Sequence, residues 1–121
     1  MFFATSNKAK QLLCMNYIGR ILPEELTRER GDVTAQLADL PPGFRLLADL
    51  SQVEFMDSEC ATEIGRTMEL IDQAGVSLIV RVIPDPGKDI GLNILTIFHY
   101  PHHPRIITCE NLAEAVRKLS L

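Results

Sequence analysis

The chain has 121 residues, enough for one domain that buries about two-thirds of its unfolded surface without disulfide or metal staples. Its net charge is −4, and its Lys and Arg residues are scattered rather than striped, which argues against the basic face of a nucleic-acid binder. No apolar run approaches the roughly 20 residues that cross a bilayer, and Met1-Phe2-Phe3 lacks the basic flank and long apolar stretch of a signal peptide.

The elements follow in chain order. Residues 2–5 and 12–18 read as two strands, with Ser6-Asn7-Lys8 as the turn of a hairpin and Gly19 ending the second strand. Pro23-Glu24-Glu25 opens a helix, with proline in the first turn and acids beside it. That helix runs to about Asp39 with Leu26, Val33, Leu37 and Leu40 inward, and Gly31 marks a possible break. Leu40-Pro41-Pro42-Gly43 stops it. A nearly continuous apolar run over 44–50 then suits a strand covered on both faces.

A helix over 58–74 places Ala61, Ile64, Met68 and Ile71 on one stripe, with Glu59, Glu63, Arg66 and Asp72 largely outside it. Gly75 stands where a C-terminal cap glycine belongs. Residues 78–83 form the clearest strand, short and β-branched. After Pro84-Asp85-Pro86-Gly87, a helix from about Lys88 to His99 is expected to bury Ile90, Ile94, Leu95 and Phe98. Residues 105–107 form a short strand, and Thr108 caps a last helix that presents Leu112, Ala115, Val116 and Leu119.

Strands that alternate with helices imply right-handed crossovers. The expected fold is therefore a single α/β domain over 1–121. It has one mostly parallel sheet of about five strands, an antiparallel hairpin edge at the N-terminal end and about four helices. Uncovered, the Phe2-Phe3 edge strand would be a natural seam for a homodimer.

The junction from Asp49 to Cys60 carries the functional information. A strand over 44–48 runs into Asp49, a short loop follows with two apolar anchors, Phe55 and Met56, and Asp57 and Ser58 cap the next helix. In an open α/β sheet, ligands and partners bind at this end of the strands. Asp49-Leu50-Ser51, Val53, Phe55, Met56, Asp57 and Ser58 resemble, in register, the STAS pattern Asp-Leu-Ser-x-Val-x-Phe-(Ile/Met)-Asp-Ser-Ser-Gly, typified by bacterial anti-sigma-factor antagonists. The resemblance covers about 39–120 in element order and 49–58 in motif. It implies a non-catalytic signalling domain of the bacterial cytoplasm with a regulatory protein partner, such as a kinase-like anti-sigma factor.

This chain departs from the pattern at the family's phosphorylated serine, where Glu59 stands, and at the following glycine, where Cys60 stands. A carboxylate accepts no phosphoryl group, so the usual switch is closed at that position. Two readings of Glu59 remain. It holds the domain in a state resembling the phosphorylated one, or it is an ordinary first-turn acid favoured by the helix dipole at about 0.3–1 kcal/mol.

Parallel strands from 44, 78 and 105 would gather Asp49, Ser51, Asp57, Ser58, Glu59 and Glu63 with Asp85 and Lys88 on one rim. That rim is either a docking face for a protein or small polar ligand, or a set of solvated caps and turns. Ser58 lacks the flanking glycines of a nucleophile elbow, Met56 and Cys60 standing in their places. The acids around Cys60 oppose a thiolate, and Cys14, Cys60 and Cys109 read as buried hydrophobes in a reducing compartment. His99, His102 and His103 suggest a metal with Asp85 or Cys109, but the prolines around them describe an exposed loop; no metal or cofactor is expected. A small apolar or lipid ligand held between the sheet and the helix over 90–98 is the alternative function.

Overall fold

The computed structural model describes every residue except 84 and 86–88, and for Asp89 and Ile90 the backbone only. Its elements are β1 (Phe2–Asn7), β2 (Leu12–Ile21), α1 (Pro23–Ala38), β3 (Arg45–Met56), α2 (Cys60–Gln73), β4 (Leu78–Val82), α3 (Asp89–His99), β5 (Arg105–Cys109) and α4 (Leu112–Lys118). The strands form one sheet in the order β1-β2-β3-β4-β5. β1 and β2 are antiparallel, and every other neighbouring pair is parallel. The mixed α/β sheet and its hairpin edge are those expected.

The two faces of the sheet carry unequal cover. The larger core lies on one face, where Phe44, Leu13, Leu46 and Ile79 meet Leu26 and Val33 of α1 and Ile64 and Ile71 of α2. On the other face, Leu12, Leu47, Val80 and Val82 are covered by Ala115 of α4 and by Leu119 just beyond it. Phe2 belongs to the large core, its ring 4.8 Å from that of Tyr17. Gly31 does not break α1. Burial of Leu26, Val33 and Leu37 along one stripe outweighs its cost of about 1 kcal/mol.

Several boundaries move. The hairpin turn lies at 8–11 rather than at Ser6, and the Asn7 side chain accepts the Lys10 N–H at 3.1 Å. β2 passes through Gly19, whose φ of +69° sits between register shifts that bend the strand against β3. α4 is capped by Asn111, whose Oδ1 accepts the Glu114 N–H at 2.8 Å, while Thr108 belongs to β5. Gly75 does follow α2, at φ +90° and against Pro42. A side chain there would be strained and crowded together.

The largest correction concerns α3. Leu95 is half-buried as expected, but Ile94 and Phe98 face outward, 52% and 73% exposed, as does Ile97. The side chain of Ile90 lies outside the described residues. Arg81 of β4 explains the rotation. It is 2% exposed, and its guanidinium donates to Asn93 Oδ1 at 3.2 Å and to Thr96 Oγ1. A buried guanidinium without acceptors would cost several kcal/mol; Asn93 and Thr96 supply them, Leu92 and Leu95 pack beside them against the core, and the isoleucines at 94 and 97 and Phe98 are left outside.

Candidate functional site

β3 is twelve residues long and does not end at Ala48. It pairs with β4 only as far as Asp49 opposite Val82, yet stays paired with β2 to Met56 opposite Ile21. Asp49, expected at the end of the strand, and Ser51, expected in the loop after it, are therefore both within the strand, at the level where β4 stops. Asp49 Oδ1 accepts both the Ser51 N–H at 2.9 Å and the Ser51 hydroxyl at 2.6 Å. Of the two expected anchors, Met56 packs against the core, while Phe55 is 54% exposed beneath the Arg20 guanidinium, 5.6 Å from the ring centroid.

The chain then turns at Asp57-Ser58-Glu59. Asp57 Oδ1 accepts the Glu59 N–H at 3.1 Å, and the Asp57 and Ser58 carbonyls accept the N–H groups of Cys60 and Ala61 at 3.0 and 3.2 Å. α2 opens at Cys60 with Glu59 in the cap position and no side-chain cap bond. Ser58, expected as a cap, is exposed, and its hydroxyl makes no hydrogen bond among the described residues. Cys60 is fully buried, Sγ 3.5 Å from the Ile21 carbonyl oxygen. Burial, followed by the charge of Asp57, pushes its thiol above the ordinary value, which disfavours a nucleophilic role.

The expected rim residues divide into three groups. Asp57 and Ser58 border a groove of about 390 Å³ between α2 and α3, floored by Met56, Ile64, Leu92 and Leu95, with Glu59 exposed beside it. Ser51 and Asp85 line a separate cleft of about 480 Å³ along the distal half of β3. Glu63 points to α1, where its carboxylate pairs with Arg30 and also meets Arg66 Nη1 at 3.7 Å. The Arg30 hydrogen bond holds its carboxyl below the usual value. Lys88 lies outside the described residues.

The histidines do not converge. His99 Nδ1 lies 2.6 Å from Glu69 Oε1, and the His102 ring meets Asp72, whose Oδ1 also accepts the His102 N–H at 3.2 Å. Both acids belong to α2, one turn apart, so the two histidines tie the end of α3 and the loop after it to that helix. No group of three or more His, Cys, Asp or Glu side chains that could hold a metal forms among the described residues. Between α2 and the sheet, with Leu92 of α3 at its side, a cavity of about 30 Å³ remains, lined in part by Tyr17, Thr67, Arg81 and Tyr100. That volume holds a water or two, so a lipid would fit there only if the helices above it moved away. No helix among the described residues is long and apolar enough to cross a membrane.

Sequence reasoning missed Arg81 and the acids behind the histidines. The signal for Arg81 was its alternation: it shares the inward parity of Ile79 in β4.

No protein-family model and no curated protein matches the sequence. Solved structures do match over nearly the whole chain. An uncharacterized protein of the DUF3478 family from Shewanella loihica, described as having a SpoIIAA-like fold, superposes with a TM-score of 0.71 at 12% identity, over 98% of this chain and 92% of that one. The anti-sigma factor antagonist SpoIIAA in its unphosphorylated form gives 0.61 at 15% identity, over 99% and 98%. The chain has the SpoIIAA-like fold. An anti-sigma factor antagonist from Mycobacterium paratuberculosis shares it with a TM-score of 0.59 at 22% identity, over 100% of this chain and 94% of that one. The fold resemblance read from Asp49 to Ser58 thus agrees with these structures, and at such identities they speak to fold alone.

Proposed function

We propose that the chain is a non-catalytic regulatory module of the bacterial cytoplasm, similar to anti-sigma factor antagonists, that docks a protein partner such as a kinase-like anti-sigma factor. The observation that carries this reading is the Asp57-Ser58-Glu59 turn at the N-terminus of α2, with Ser58 and Glu59 exposed and an apolar groove beside it. It sits at the carboxyl end of a parallel sheet, where open α/β folds bind their partners. Asp57 shapes the turn, Glu59 gives a permanent negative charge, and the groove floor supplies apolar contact area. Asp49, Ser51 and Asp85 would border the docking face, while Glu63, paired with Arg30 of α1, lies apart from it.

Because Glu59 replaces the hydroxyl that relatives phosphorylate, the module is not switched at that position. Its carboxylate keeps one fixed state, resembling the phosphorylated one.

The test is affinity capture from a bacterial lysate, followed by titration of the purified partner. Glu59→Lys and Asp57→Lys should each weaken binding about tenfold or more through charge reversal at the rim. Identical captured proteins for wild type and both variants would refute the docking face. Glu59→Ser separates the mimicry: unchanged binding to the same partner would remove it while leaving the docking face intact.

A further inference from the structure

Asp72, near the end of α2, is a buried acid: its side chain is 2% exposed. Both hydrogen bonds to its carboxylate come from one residue of the loop after α3. Oδ1 accepts the His102 N–H at 3.2 Å, and Oδ2 meets His102 Nδ1. A buried carboxylate needs such partners. It accepts and does not donate, so Nδ1 carries the ring proton and Nε2 keeps its lone pair. Backbone and ring are thus fixed together, while the His102 side chain is 76% exposed.

The other two histidines lack this combination. His99 Nδ1 meets Glu69, whose side chain is half-exposed, and its Nε2 is turned against α2, 2.5 Å from where a Cβ at Gly65 would stand. His103 is exposed, but its hydrogen bond is made by the backbone, N–H to the Tyr100 carbonyl at 3.0 Å.

An imidazole held by an acid, with Nε2 outward, can ligate a metal, act as a base or act as a nucleophile. A metal needs further ligands, and no group of three forms among the described residues. A base needs a held substrate, and His102 lines none of the clefts described above. Attack on a reagent arriving from solution needs neither.

We propose that His102 Nε2 is a phosphoryl acceptor for donors with a phosphorus–nitrogen bond, and that Asp72 is its positioning residue. The Nε2 lone pair attacks phosphorus, and the donor's P–N bond breaks. The donor nitrogen, protonated beforehand, leaves as the neutral amine with its protons. The phosphorylated ring keeps Nδ1–H and carries a positive charge, which the Asp72 carboxylate stabilises as a buried acid stabilises an imidazolium. At 1.5 Å per residue, Asp72 lies roughly 20 Å along α2 from the docking turn, so the two sites can fail separately.

The probe is potassium phosphoramidate, incubated with the full chain at mildly alkaline pH and followed by site-resolved mass spectrometry. His102 should gain a phosphoryl group about tenfold or more faster than His103 in the same molecules, and phosphorus–proton NMR should place it on Nε2. Asp72→Asn keeps the shape and removes the charge; it should slow His102 about tenfold and leave the His103 rate unchanged. Amide NMR spectra report whether that variant folds, and if it does not, the comparison of His102 with His103 in the wild-type chain decides. Equal rates at the two histidines, no phosphate at 102, phosphate on Nδ1, or a folded Asp72→Asn that reacts like wild type would each overturn the proposal.

Discussion

Gly65 sets how closely α3 can approach α2, and replacing it with alanine gives a calculable conflict. A Cβ at this position would lie 2.5 Å from His99 Nε2 and 2.8 Å from His99 Cδ2 and Cε1. Comfortable contact between such atoms begins near 3.5 Å, so the ring would have to retreat by about 1 Å. It is not free to do so cheaply, because Glu69 holds Nδ1 from the other side at 2.6 Å. Overpacking of this size costs about 1–3 kcal/mol, against a gain of about 1 kcal/mol for alanine over glycine within a helix. The expected net effect of Gly65→Ala is a loss of about 1 kcal/mol, or about 3–5 °C in Tm for a domain of this size. Urea unfolding of Gly65→Ala, His99→Ala and the double variant checks it. With the imidazole removed, alanine at 65 should stabilise by its full propensity gain, giving a coupling of about 2 kcal/mol between the sites. Equal stabilisation by Gly65→Ala in both backgrounds would refute the close approach of the helices.

Other outcomes follow from the packing and charges. Phe98→Ser should change stability by less than about 0.5 kcal/mol, because the ring is solvent-exposed, whereas Phe44→Ala should cost about 3–5 kcal/mol; chemical denaturation compares the two. The Glu63 carboxyl is held below its ordinary value of 4.5 by Arg30, so its pairing stabilises the fold above that pH and is lost as pH falls through the depressed value. Glu63→Gln should therefore be less stable than wild type at neutral pH, and the gap should close in acid; a gap independent of pH would contradict the pairing. Native thiol labelling should reach Cys14, which is half-buried, before Cys60 and Cys109, all three more slowly than a free thiol because burial raises each thiol's pKa.

Much of the site was legible because the turn at 57–59 depends on neighbours in sequence. Asp57 shapes it through its own local hydrogen bond, and Glu59 stands exposed at the head of α2. The length of β3 was not legible. Asp-Leu-Ser ordinarily marks a strand end, yet here Asp49 satisfies the Ser51 amide and hydroxyl within the strand while β2 continues alongside. Nor could the 63 side chain be assigned to the rim or to α1 until Arg30 was placed opposite it.

Read alone, the order of residues determined the alternation of strands and helices, the hairpin edge, the inward stripes of α1 and α2, and the acid at the head of α2. These rest on hydrophobic periodicity and on contacts within a few residues. The rotation of α3, the outward Ile97 and Phe98, the histidine ties to α2 and the continuation of β3 alongside β2 to Met56 were decided only when distant segments met. A buried guanidinium from β4 needs acceptors that only another element can bring, and helical periodicity cannot say which face such a demand will claim.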